Sequence, residues 1–183
     1  MENHARIPLA DAAAARPLTW FAGAVTALAV ALIPAAAVIA QTGAQPFTVA
    51  ETGQSFARLQ DAVNAIGNGN GTIAIAPGTY RDCAVQEGGS VSFLATQPGA
   101  AVFDGGTCEG KAALVLRGRE AKVSGLVFRR MAVPDGNGAG IRLEQGNLTV
   151  TQTWFADSQQ GILTADDPSG RIVGLQGIFW DVT

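Results

Sequence analysis

Histidine is almost missing from this chain: of 183 residues only His4 is one, and lysine occurs twice, as Lys111 and Lys122. The scarcity of lysine and the net charge of −3 leave no basic patch. Phosphate-backbone binding needs clustered cations, so nucleic acid is not expected as a partner. Charge is also missing from a whole stretch, since none occurs between Leu18 and Ala40. Arg6 and Arg16 precede that stretch, and Val38, Ile39 and Ala40 end it in the small-x-small pattern at which a signal peptidase cuts. A basic start, an apolar centre and such a site describe a secretory signal over residues 1–40. An uncleaved anchor is the alternative, because 23 uncharged residues can just span a bilayer, and a buried core helix is the third reading. A membrane is expected as a partner only through this segment, if it stays uncleaved.

Removal of residues 1–40 takes His4, Glu2, Asp11, Arg6 and Arg16 with it and leaves 10 basic and 13 acidic residues. A Ser-His-Asp triad is then excluded. Cys83 and Cys108 are the only cysteines. Two cysteines without histidine make a poor metal site, and no metal is assigned. In an exported chain an even cysteine count points to a disulfide.

What the chain does contain is a repeat. Residues 113–130 (ALVLRGREAKVSGLVFRR) align without a gap on residues 140–157 (GIRLEQGNLTVTQTWFAD) at an offset of 27. Leu114 falls on Ile141, Leu116 on Leu143, Ala121 on Leu148, Val123 on Val150 and Phe128 on Phe155. These apolar positions mostly alternate, as a strand with one buried face requires. A third copy follows at a shorter offset, with Ile162, Ile172, Gln176 and Phe179 on Ile141, Leu148, Gln152 and Phe155. Earlier coils are expected at 72–76 and at 91–93, the latter continuing through 100–103. Variable loops between fixed apolar strands mark a solenoid, whose rungs bury their inner faces on one another. A β-sandwich also alternates but does not repeat in this way.

Ahead of the first coil, Phe56, Leu59, Val63 and Ile66 fall at helical spacing within residues 55–66, and Gly67 ends the run. An amphipathic helix here would cover the open end of the solenoid. The expected fold is therefore all-β: about five coils over 71–183, a linker and capping helix over 41–70, and a hydrophobic signal helix before them. Cys83 and Cys108, 25 residues apart, would sit at similar turns of adjacent rungs and bridge. In the third copy Gly174 stands where Val150 predicts an apolar inward residue, and no cap follows the last coil. These features give the expectation of a chain truncated at its C-terminus.

The order Phe47 to Val49, the helix, then Gly71 to Asp82 (GTIAIAPGTYRD) resembles the opening of pectate-lyase-like right-handed parallel β-helix proteins. Gln97 to Gly106 (QPGAAVFDGG) is similar to their second coil. The resemblance covers roughly residues 47–173, and its motifs form caps and turns, so they speak for fold more than for activity. It implies a protein that binds acidic polysaccharide or acts on it, with calcium as the cofactor such enzymes often use.

No catalytic constellation is visible. The outward strip expected on the first strand, Ala74, Ser92, Val115, Arg142 and Leu163, carries one charge, and its neighbour, Lys122, Ser124, Thr149 and Thr151, is polar. One rung separates Arg117 from Glu144 and Arg130 from Asp157, so each pair could hold a ligand's carboxylate and hydroxyls or form an exposed ion pair. Arg117, Arg142 and Glu144 are the candidate ligand-binding residues. Asp166 and Asp167 are adjacent carboxylates, but Pro168 and Gly170 make a turn of them. Asn147-Leu-Thr149 is a formal glycosylation sequon. The expected function is an exported polysaccharide-binding or scaffold module. The alternative is the front of a polysaccharide lyase-like enzyme whose active residues lie beyond Thr183.

Overall fold

Alternating apolar residues and frequent turns make the described residues strand-rich, with one short helix among them. The computed structural model describes residues 45–165 and 170–182. The expected signal over 1–40 and the Asp166–Asp167 pair lie outside the described residues. Among the described residues, no helix is long and apolar enough to cross a membrane.

The described residues open with a hairpin, β1 (Phe47–Val49) and β2 (Gln54–Phe56), followed by α1 (Leu59–Ile66). Then come β3 (Asn70–Ile75), β4 (Gly78–Tyr80), β5 (Ala84–Gln86), β6 (Ser90–Ala95) and β7 (Ala101–Asp104). Next are β8 (Ala112–Leu116), β9 (Glu120–Ser124), β10 (Leu126–Arg129) and β11 (Ala139–Leu143). The last are β12 (Gly146–Ser158), β13 (Gln160–Thr164) and β14 (Gly170–Val182).

The helix is shorter than its periodicity implied. Ser55 and Phe56 are drawn into β2, where Phe56 pairs antiparallel with Phe47 and the Thr48 and Ser55 hydroxyls bond at 2.8 Å. Cross-strand pairing satisfies their backbone groups, and the helix begins only where Leu59 N–H can donate to Asp82 Oδ2 at 2.9 Å. Leu59, Ala62 and Val63 are the residues it buries.

Ten strands form one sheet, in the order β2-β1-β3-β6-β9-β12-β10-β7-β4 with β14 on β12, and four form another, β13-β11-β8-β5. From β3 onward every pairing is parallel. The long β12 pairs with β9 through residues 147–151 and with β10 through 154–156, so two parallel ladders of the larger sheet meet on it. The offset of 27 is the register itself: Ile141 faces Leu114, Val150 faces Val123 and Phe155 faces Phe128.

Inward residues of the ladders form one apolar core. Ile73, Phe93, Val123 and Val150 are neighbours across four strands and almost wholly buried. Phe103, Phe128 and Phe155 stack at centroid distances of 5.6 and 5.4 Å. Each such ring pair adds about 0.5–1.5 kcal/mol beyond the area it buries.

Three expectations need correction. The strip of Ala74, Ser92, Val115, Arg142 and Leu163 does not exist as one column. Val85, Val115, Arg142 and Leu163 align in the smaller sheet, whereas Ser92 aligns with Thr72 and Lys122, and Ala74 with Leu94 and Ser124, in the larger one. The cause is unequal spacing: Thr72 to Ser92 is 20 residues and Ser92 to Lys122 is 30, because the Cys108 loop is inserted between them. In the third copy, an irregularity after Ile172 lets Gly174 face Thr149 and Leu175 face Val150, so an apolar residue does stand opposite Val150. Finally, Arg130 pairs with Asp104 rather than Asp157.

Candidate functional site

The outer face of the β3-β6-β9-β12 ladder carries two columns. One runs Thr72, Ser92, Lys122, Thr149, and the other Ala74, Leu94, Ser124, Thr151. Outward positions on such a ladder need β propensity and solubility, which threonine and serine supply. The hydroxyls also form a surface of donors and acceptors spaced by the strand separation of ~4.8 Å. Two adjoining hollows lie over it, of about 440 Å³ and 370 Å³, and both include Thr72, Ser92 and Lys122 in their walls.

Each end of this groove has a distinct chemistry. Glu51 reaches in from the turn after β1, where its Oε2 accepts the Thr72 N–H at 2.9 Å, and that backbone bond holds its pKa below the ordinary 4.5. Lys122 Nζ lies 3.3 Å from Glu120 Oε1 and is over half exposed, which leaves its ammonium available to solvent or ligand. Toward the other end, Thr151 Oγ1 donates to Ser124 Oγ at 2.9 Å beside Leu94, which is 43% exposed. A groove with hydroxyls, one ammonium and an exposed aliphatic patch suits a ligand with both polar edges and apolar faces.

The residues singled out from sequence converge elsewhere. Arg117 Nε donates to Glu144 Oε2 at 2.6 Å, and Arg142 Nε stands 3.7 Å from Glu144 Oε1. Their surroundings were not legible from the repeat. Lys111 Nζ donates to Glu144 Oε1 at 2.8 Å, while Arg117 also reaches Glu87 at 2.6 Å and Glu109 at 2.5 Å. Three carboxylates thus meet three cations, and the network is neutral. Hydrogen bonds from Arg117 first and Lys111 second hold Glu109 at about 2. Burial pushes Glu144 up, but bonds from Lys111 and Arg117 outweigh it and leave its pKa lowered. The same pairings, Glu144 first, raise Lys111.

This network fastens the loop between β7 and β8. The Cys83–Cys108 disulfide, with a Cα separation of 5.5 Å, fixes the same loop. Beneath lie Ala112, Val115 and Ala139, an apolar cluster buried although Val115 alternates outward from the main core. That cover explains why residues 112–116 are apolar throughout: both faces of β8 are buried. Among the described residues, no group of three His, Cys, Asp or Glu could hold a metal ion.

Sequence reasoning named Lys122, Ser124, Thr149 and Thr151 as a polar strip but missed Thr72, Glu51 and Glu120. Only the β3–β6 register, with its shorter spacing, shows that Thr72 continues the column. No family model matches this chain, and neither does any curated protein or solved structure.

Proposed function

We propose that the strands from β3 onward wind as a right-handed parallel β-helix of about five coils, exported from the cell, whose outer hydroxyl groove binds a polysaccharide. Several features support the winding. Chain order visits the β3, β4 and β5 ladders in turn, and the following strands repeat that visit. Antiparallel β1 and β2 and the helix α1 stand at the start, where a solenoid edge needs cover. The disulfide fits an oxidising compartment.

The observation that carries binding is the unbroken column Thr72, Ser92, Lys122, Thr149 with Ser124 and Thr151 beside it. A linear glycan laid across the strands meets a hydroxyl at each rung, and Leu94 offers contact to a sugar ring's apolar face. One ammonium against Glu51 and Glu120 makes the groove slightly acidic, which favours neutral residues at that position. The module serves as a binding surface or scaffold through these contacts.

A glycan array followed by calorimetry on the full chain tests this. The double variant Lys122→Ala, Thr149→Val should weaken the selected oligosaccharide about tenfold or more with an unchanged melting temperature. Failure of the chain to retain any glycan, or equal affinity of the double variant, would refute groove binding.

A further inference from the structure

A second charged cluster lies on the outer face of the β4-β7-β10 ladder, and it is not neutral. Asp104 and Arg129 face each other across β7 and β10, and Arg130 follows at the corner. Arg129 Nε donates to Asp104 Oδ2 at 3.0 Å, and Arg130 Nε to Oδ1 at 2.7 Å, with Arg130 Nη2 also on Oδ2. Arg81, just past the end of β4, has no partner among the described residues. Three guanidiniums against one carboxylate leave a local charge of +2, in a chain whose net charge is −3. The nearby acids do not cancel it. Asp82 turns to the helix, accepting from Leu59 N–H and standing 3.8 Å from Arg58. Asp157, next along the corner, forms no ion pair with Arg130.

A cavity of about 460 Å³ opens here, with Arg81, Asp104, Gly105 and Arg130 in its wall. Arg130 holds a backbone φ of 56°, a left-handed conformation that favours glycine. An arginine at that position accepts a conformational cost and points its guanidinium at Asp104. The network around Arg117 is the internal contrast: there, three cations meet three acids and fasten a loop. Around Asp104, by comparison, cationic donors exceed acceptors.

From this surplus we infer that the cavity is a binding site for a tetrahedral oxyanion ester, the sulfate or phosphate group of a substituted sugar. Asp104 already takes the Nε–Nη2 edge of Arg130 and the Nε of Arg129, so part of each guanidinium is committed. What remains in the cavity wall are the outer N–H groups of Arg130 and the whole of Arg81, while Arg129, outside that wall, adds its charge through Asp104. Those donors come from separate side chains, as the oxygens of a tetrahedral group require, and a charge of +2 matches a phosphate monoester. Asp104 is a positioning residue that holds two of the three guanidiniums. This site lies on a different ladder from the hydroxyl groove and stands whether or not that groove binds glycan.

The test is a titration of the full chain with four probes: galactose 6-sulfate, galactose 6-phosphate, galacturonate and galactose. Saturable binding of a sulfate or phosphate probe at or below about 1 mM is expected, weakening as salt rises, with galacturonate and galactose at least about tenfold weaker. The sulfate and phosphate arms identify which ester is preferred. Arg81→Gln should weaken binding about tenfold without altering the melting temperature, because Arg81 supports nothing else. Arg130→Gly should weaken it as much while relieving the left-handed φ, so its loss cannot be ascribed to unfolding. Lys122→Ala should leave this binding intact. Equal binding of galacturonate, no saturation with either ester, or unchanged affinity in both arginine variants would overturn the assignment.

Discussion

Replacing Cys83 and Cys108 together by alanine isolates what the disulfide contributes. The bridge closes a loop with a sequence separation of 25. For a loop of that length the chain-entropy relation gives about −12 cal/mol/K, or about 3.5 kcal/mol at 25 °C, by which the unfolded state is destabilised when cross-linked. The native side of the balance should change little. Both cysteines are half-buried, so alanine leaves a small void. The loop also keeps other fastenings: Cys108 N–H to the Ala112 carbonyl at 2.8 Å, Arg117 on Glu109, and Lys111 on Glu144. Urea denaturation of the bridged chain and the double variant at one pH gives both stability and its urea dependence. A loss of about 3–4 kcal/mol is expected, together with a steeper dependence because the freed chain exposes more surface when unfolded. A loss under about 1 kcal/mol would refute the entropic reasoning. A large loss with fresh proteolysis between Glu109 and Lys111 in the folded state would do so differently, showing that the bridge acts on the native loop.

Acid should weaken the same region. The lowered carboxylates of Glu109 and Glu144 contribute stability that is fully present above their ordinary 4.5 and lost as pH falls through the folded values, about 2 for Glu109. Thermal melts over that interval should show the melting temperature falling, and Glu109→Gln should flatten the slope. Two glycines with similar φ separate conformational from steric cost: Gly53 (70°) faces open space, whereas a Cβ on Gly146 (73°) would overlap the Gly118 carbonyl oxygen. Chemical denaturation should give a loss of about 1 kcal/mol for Gly53→Ala and at least about 3 kcal/mol for Gly146→Ala.

The strand pattern is legible wherever two repeats have equal length. From Ala113 to Asp157 a single offset of 27 relates the two copies, so sequence alignment and spatial register coincide, and Leu114 on Ile141 or Phe128 on Phe155 is read directly. Elsewhere the two part company. The step from β3 to β6 is shorter and the step from β6 to β9 contains the Cys108 loop, so similarity in sequence no longer measures position along a ladder. Val115 shows the consequence. By alternation it points outward and should meet solvent, yet it is fully buried by a loop whose docking depends on a disulfide and three carboxylates. Phe56 was assigned to the helix for a related reason, since its spacing fits a helix while its hairpin partner lies before the helix begins.

Charge was harder to read than hydrophobicity, and the reason is geometric. An apolar residue needs only the correct face of a strand, which alternation supplies. An ion pair needs two long side chains to end within about 4 Å, and those can come from any neighbouring rung or loop. Arg117 and Glu144 are legible as a pair because the 27-residue offset separates them. The same offset matches Arg130 to Asp157, one strand forward on the ladder, whereas its partner is Asp104, one strand back. A ladder offers every cation two such choices. Arg129 faces Asp104 directly, and Arg130 reaches the same carboxylate from the next position. Two arginines then share one acid, and a third, Arg81, has none among the described residues. Local pairing of opposite charges therefore accounts for the neutral network under the disulfide loop but leaves a positive excess at Asp104, which is where a ligand's anion would complete the count.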